Sequence, residues 1–344
     1  MKFNPFIVCL LLLLSLGRVA GQQVTIGVET SIRSHIINED RPILISVPEG
    51  YQSYSETSYP VIYILDGETN FKYLASLYHY LSREPSGILP PAILVGITNT
   101  DRTRDLTPTA VSGSNALSGK RARGFERSGG NAAFMDFIGK ELFPFIEKTY
   151  HTNGYKVLVG HSFGGLTAIN NLLTDPLFNA YIANDPSLWW DNELLIKKSE
   201  NTAEDFKGIR LFLAQANNAR LLNVSDDEHE IAIAKFKALL EKEKFKNLQW
   251  KYAFYEEDDH GTVPLPGNND GLRFIFGAYR WNFRDALKDP AVIRQHFDRV
   301  SAELGYEFRP TQLFFQKMMS IANERSSTLI VDQLKAIQQH YYPQ

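Results

Sequence analysis

The sequence predicts an α/β fold: a mostly parallel central sheet opened by an antiparallel hairpin, helices on both faces, and a small helical appendage at the C-terminal end. Three observations carry this. Continuous apolar runs at Tyr59 to Leu65, Ala92 to Ile97 and Lys156 to Val159 lack the alternation of a half-exposed strand, so they read as strands buried on both faces. Segments with apolar residues three and four apart alternate with them, at Phe71 to Ser82, Ala132 to Thr149, Gly165 to Leu173 and Glu228 to Lys242. Beyond about Pro290 only helical spacing remains, over Val292 to Leu304, Pro310 to Asn323 and Ser327 to Tyr341.

Taken in order, the chain opens with Met1-Lys2 and an almost wholly apolar run from Phe6 to Leu16, then the small residues Val19-Ala20-Gly21. This is the layout of a secretory signal peptide, too short to span a membrane comfortably, with cleavage expected near Gly21. The expected organisation is therefore a signal peptide over 1–21, an α/β domain over 22–289 and the appendage over 290–344. The exported chain should be periplasmic or extracellular, with no stable membrane insertion. Its single cysteine, Cys9, leaves with the peptide, so no disulfide is expected, and Cys9 lacks the preceding small residues of a lipidation site.

Loss of Lys2 and Arg18, with no acid lost, moves the formal charge from −3 to −5. A mildly acidic surface argues against a nucleic-acid partner. No C-x-x-C, H-E-x-x-H or Walker loop is present. His229-Glu230 begins like a zinc helix, but Ile233 stands where the second ligand belongs. No cofactor or metal is expected.

The mature chain begins with strands at Val24 to Ile37 and Pro42 to Val47, turning through Asn38 to Arg41. Further strands are expected at Ala180 to Ala183, Ile209 to Ala214 and Leu248 to Phe254. Between Leu106 and Gly130 runs a long stretch of small, polar and basic residues, a length that usually signals function or disorder.

The chemistry is concentrated at Gly160-His161-Ser162-Phe163-Gly164-Gly165, between an apolar strand and a helix-forming run. This is a nucleophile elbow: Ser162 sits on a strained turn, Gly160 and Gly164 relieve crowding, and the N–H of Phe163 points where an oxyanion would form. A serine needs a base oriented by an acid, and in this layout the order along the chain is Ser, acid, His. His229, His260, His296 and His340 follow Ser162. His260 is the candidate, because it lies in a polar loop at the end of the last strong strand, where such sheets build their sites. The acid is sought among Asp226, Asp227 and Glu228, with Asp227 the choice. A helix cap competes for the same residues, and Glu257 and Asp258 are alternatives. Gly67 or Glu68, after a buried strand, would supply the second oxyanion donor, the bland reading being an ordinary turn. Trp189, Trp190 and Phe163 would line an aromatic-accepting pocket, Arg102 is a substrate-binding candidate that could pair with Asp105, and Lys120, Arg121, Arg123 and Arg127 would suit an anionic substrate unless the loop is simply solvated.

Several runs together resemble the putative-esterase family, which contains esterase D and the siderophore esterases: Leu65-Asp66-Gly67-Glu68; Val95 to Asn99 with Arg102 to Pro108; Gly160 to Gly165; Pro186-Ser187-Leu188-Trp189-Trp190; and Asp258 to Pro264. The similarity spans about Val24 to Phe283 and is nearest the siderophore (enterobactin-type) branch. It implies an α/β-hydrolase fold, a serine esterase acting on a small-molecule ester, Ser162 as nucleophile and His260 as base. After the penultimate strand, Ala214 to Arg220 lacks the glycine-acid element of esterase D relatives, so a Ser-His dyad is an alternative. The appendage lies outside the family's core domain. An acyltransferase of the same chemistry and a catalytically idle binding module are the other function classes open to this sequence.

Overall fold

The computed structural model describes residues 24–53, 56–111, 125–201, 204–218, 227–242 and 245–343. The expected signal peptide, the loop cations Lys120, Arg121 and Arg123, and Asp226 lie outside the described residues.

Eight strands form one sheet: β1 Val28–Ser34, β2 Glu39–Ser46, β3 Tyr59–Ile64, β4 Ile93–Ile97, β5 Thr152–His161, β6 Ala180–Asn184, β7 Arg210–Ala216 and β8 Gln249–Tyr255. Their spatial order is β1-β2-β4-β3-β5-β6-β7-β8. The β1–β2 and β2–β4 pairs are antiparallel and every later pair is parallel. The expected opening hairpin and parallel sheet are both present, and the hairpin turns three residues earlier than expected, through His35 to Asn38. A parallel sheet gathers the carboxyl ends of its strands along one edge, so the segments after β3, β5, β6, β7 and β8 meet there.

The helices are α1 Gly67–Leu81, α2 Arg102–Leu106, α3 Asn131–Phe137, α4 Phe143–Thr149, α5 Phe163–Thr174, α6 Trp190–Glu200, α7 Glu228–Leu240, α8 Pro264–Ile275, α9 Val292–Leu304, α10 Gln312–Glu324 and α11 Thr328–Tyr341. The single helix expected over Ala132 to Thr149 is interrupted by a π-helical turn at Ile138–Leu142. Pro144 has no N–H to give the Lys140 carbonyl, so the ladder widens just before it. Three helices were not expected: α2, α6 and α8. In α8, Pro264, Pro266 and Gly267 disguise the start, where proline is tolerated because the first N–H groups have no acceptor. The start of α6 is irregular, with Asp191, Asn192 and Glu193 at φ 48, 54 and 61.

Strand residues alternate between two cores. Val61, Tyr63, Leu158 and Tyr181 face one side with Phe134, Phe163, Trp190 and Phe236. Ile62, Ile64, Val157, Ile182 and Phe212 face the other with Phe71, Leu272 and Phe276. The second core continues into Ile293, Phe297, Val300, Phe314, Phe315 and Met318, so α9 and α10 pack on the sheet side covered by α1 and α8. Polar ties reinforce this packing: Thr311 Oγ1 donates to Glu84 Oε2 at 2.5 Å and Lys317 pairs with Glu49 at 2.9 Å.

Phe297 is 1% exposed and meets the rings of Tyr279, Trp281, His296 and Phe314. Phe297→Ala should cost about 3–5 kcal/mol. Because the core is shared, urea denaturation should show one cooperative transition moved to a lower midpoint. A separate early transition that leaves the main midpoint unchanged would show the C-terminal helices folding apart from the sheet.

Candidate active site

β5 delivers Ser162 to the carboxyl edge of the sheet. Ser162 adopts φ 59 and ψ −115, a conformation open to non-glycine residues only at a cost of about 1–3 kcal/mol. Neighbours hold it there: its N–H donates to Asn184 O at 3.1 Å, and its carbonyl accepts from Leu166 N–H at 2.9 Å and Ser187 N–H at 3.1 Å. A Cβ at Gly160 would stand 2.2 Å from Gly164 O, so that glycine is obligatory. The second tight position is Gly165, where a Cβ would meet Pro186 Cα at 2.9 Å. At Gly164 it would find ordinary contact, 3.4 Å from Leu65 Cβ. The crowding assigned to Gly164 from sequence thus belongs to Gly165. Among the described residues, the partner of the Ser162 hydroxyl is Ser187 Oγ at 3.3 Å.

His260 lies in the loop after β8, and its ring centroid is 4.5 Å from that of His161, the residue before the serine. Its Nδ1 is 2.7 Å from Asp185 Oδ2. Asp185 directly follows β6, on the neighbour of the serine-bearing strand, and is completely buried. Burial alone would raise its carboxyl pKa. Hydrogen bonds from His229, His260 and the Ala216 N–H outweigh that and hold it well below the usual carboxylate range.

Asp227, the acid expected from sequence, is not the residue that meets His260. It caps α7, accepting the His229 N–H at 2.8 Å. Asp227 thus takes the competing capping role, and Glu228, Glu257 and Asp258 are likewise not the partners of His260 Nδ1. In the sequence Asp185 shows only as an acid that follows a doubly buried strand and lies between Ser162 and His260; its place beside the elbow strand is a tertiary fact.

β3, paired in parallel with the serine-bearing β5, leads through Leu65 and Asp66 to Gly67 on the same edge of the sheet. Gly67 and Glu68 begin α1, whose first N–H groups have no acceptor within the helix. A Cβ at Gly67 would meet the Gly96 carbonyl carbon at 2.8 Å, so only glycine lets this turn lie so close to β4. The Glu68 side chain turns away, accepting from Asn99 Nδ2 at 2.7 Å. Phe163 begins α5, so its N–H likewise has no acceptor within its helix.

The expected substrate residues divide. Trp190 is 1% exposed and donates to Thr109 Oγ1, its ring set edgewise on Phe125 and Phe163, so it supports the wall rather than facing a ligand. Trp189 is partly exposed and borders a cavity of about 390 Å³ with Asn192, Glu193, Lys197, Ile231 and Lys235. Arg102 does not pair with Asp105. It forms a bidentate bridge to Asp66, with bonds of 2.7 and 3.0 Å, and lies 5.2 Å from the Phe163 ring centroid. Asp105 is taken by Arg41 and Arg104. Arg127 pairs with Asp101 at 2.7 Å.

Among the described residues, Asp185, His229 and His260 are the group whose ligand atoms lie close enough to share an ion. Trp189 Nε1 donates to His229 Nδ1 at 2.9 Å, which leaves the ring's proton on Nε2, facing Asp185, where a metal would need a lone pair. The cluster suits a hydrogen-bonded carboxylate better than a metal.

The putative-esterase family profile matches residues 34–263. A ferri-bacillibactin esterase of Bacillus subtilis, BesA, is 32% identical over 193 residues, covering 52% of this chain and 66% of its own length, just under two thirds. A siderophore enterobactin esterase of Emericella nidulans is 26% identical over 251 residues, covering 62% of this chain and 81% of itself. Among solved structures, an IroE-like serine hydrolase from Shewanella oneidensis is 34% identical with a TM-score of 0.80, over 92% of this chain and 99% of that one.

His161 gives this site a pH signature. Burial, with His260 beside it, pushes its pKa down to about 4 from an ordinary 6.5. Between those values the unfolded chain binds a proton that the folded chain refuses, so stability is full above about 6.5 and falls as pH drops toward about 4. His161→Gln should flatten that fall in urea titrations across this window. His296, also held at about 4 by burial and Arg299, will leave a residual slope. An unchanged slope in the variant would contradict the reading.

Proposed function

The chain belongs to the putative esterase family, and we propose that it is an ester hydrolase that cleaves carboxylic esters through an acyl-enzyme on Ser162. The observation that carries this is the 2.7 Å bond between His260 Nδ1 and the buried Asp185 carboxylate, beside a strained serine. Ser162 Oγ attacks the ester carbonyl while His260 Nε2 takes its proton, Asp185 holding the ring's orientation and stabilising the imidazolium. The tetrahedral oxyanion is received by the N–H of Phe163 and those of Gly67 and Glu68. His260 returns the proton to the leaving alcohol, and water, deprotonated by the same ring, releases the acid and frees the serine.

For the substrate we propose a siderophore-type ester. Two relatives are named for such esters, and the partly exposed Trp189 with the Phe163 ring offers an aromatic surface near the elbow. Export remains part of the proposal, resting on the apolar N-terminal run and Val19-Ala20-Gly21. Intact mass of the protein recovered outside the cytoplasm should place the mature N-terminus near Gln22, and a retained Met1 would overturn it.

Ser162→Ala should lower kcat/KM for a nitrophenyl ester by about 10⁵–10⁶-fold and abolish labelling by a fluorophosphonate. Asp185→Asn should lower kcat by about 10³–10⁴-fold, whereas Asp227→Ala should cost only about 1 kcal/mol of stability. Turnover retained by the Ser162 variant would sink the mechanism. In a panel of siderophore, feruloyl, acetyl-sugar and short acyl esters, the siderophore esters should have the highest kcat/KM.

A further inference from the structure

We infer that His229 is a positioning residue for the hydrolysis: a neutral hydrogen-bond donor, held in one tautomer by Trp189, that keeps the Asp185 carboxylate on His260. The inference rests on the serine-hydrolase reading and concerns a residue outside the triad. It starts from Trp189, whose indole can only donate. Its Nε1–H reaches His229 Nδ1 at 2.9 Å, so that nitrogen carries a lone pair and the proton of the neutral ring is on Nε2. Nε2 lies 3.0 Å from the Asp185 carbonyl oxygen and 3.1 Å from its Oδ2, both acceptors. Each nitrogen of the ring thus has a partner of the matching kind. Burial lowers the His229 pKa while the Asp185 carboxylate raises it, and the carboxylate prevails; what opposes protonation is the Trp189 bond, which a proton on Nδ1 would break.

Neutrality has a use here. The His229 and His260 rings are 5.0 Å apart, edge to face. A charged His229 would oppose the imidazolium that His260 must become, while a neutral donor anchors the shared carboxylate without that penalty. The anchoring is distributed: Asn218 Nδ2 reaches Oδ2 at 3.0 Å and the Ala216 N–H reaches Oδ1 at 3.0 Å, while His260 takes Oδ2 at 2.7 Å. The other titratable groups facing this pair are His161 at the end of β5, Asp66 after β3, Asp227 at the α7 cap and Tyr252 on β8.

Removing the His229 donor leaves more of the carboxylate's charge to His260, which then binds its proton more tightly. His229→Ala should therefore lower kcat by about ten- to a hundredfold through misplacement of His260, with little change in KM. It should also move the acid limb of the kcat/KM profile to higher pH by about half a unit or more. His229→Gln, which restores an amide N–H at similar reach, should bring back most of the activity and the original limb. Loss of activity with an unmoved limb, or no rescue by Gln, would show a merely structural role and overturn the inference. A readout independent of any variant is ¹⁵N NMR of the histidines in the intact protein. His229 should show a protonated Nε2 and an unprotonated Nδ1 from about pH 5 to 8. The opposite tautomer, or titration in that range, would overturn it. Failure of Ser162→Ala to abolish turnover would instead sink the serine mechanism while leaving this NMR result intact.

Discussion

A buried carboxylate organises the carboxyl edge of this sheet. Asp185 has no exposure, and an ion so placed is tolerable only when its oxygens are hydrogen-bonded. Its donors come from the end of β7, the segment following it, the first turn of α7 and the loop after β8. Those pieces are distant in the chain and adjacent only because β6, β7 and β8 run parallel and in register. A register slip of one residue would move these donors off the carboxylate, so the sheet that sets the fold also sets the electrostatics of His260.

The same short segment governs the serine. Asn184 and Ser187, flanking Asp185 and Pro186, fix the backbone of Ser162 through its N–H and carbonyl, and Pro186 packs where Gly165 must lack a side chain. Strain at Ser162 and charge at Asp185 are therefore supported by one stretch between β6 and α6. Ser162 and Asp185 are placed by a common element, and His260 closes the arrangement from the other side. The aromatic floor follows from this too, since Trp189 and Trp190 continue that stretch, one donating to His229 and the other buried against Phe163.

Much of this was legible in the chain. Doubly buried strands announce themselves as unbroken apolar runs, and the elbow's glycines and serine have a steric logic that survives without coordinates. His260 was readable because a polar loop after a strong strand is where a parallel sheet exposes chemistry. Asp185 was not, because Asp226, Asp227 and Glu228 offered acids in the more usual place, and nothing local distinguishes a capping aspartate from one that meets His260. The difference is tertiary: β6 neighbours β5, so an acid one residue past its end reaches His260. The burial of Trp190 and the pairing of Arg102 with Asp66 rather than Asp105 were hidden for a related reason. A large aromatic or a cation in a site-forming segment serves the wall as readily as the ligand, and only packing against Thr109, Phe125 or Asp66 tells which. The π-helical turn at Ile138–Leu142 and helix α8 were hidden by the ambiguity of proline, which interrupts a helix at one position and begins one at another.

Asp185 orienting a protonated His260 Nδ1 is the centre of this description, and the low-field proton NMR spectrum reports it directly. A hydrogen-bonded Nδ1 proton should appear far downfield, persist in Ser162→Ala, and vanish in Asp185→Asn with the fold retained. A resonance that survives Asp185→Asn and is lost in Asp227→Asn would contradict it.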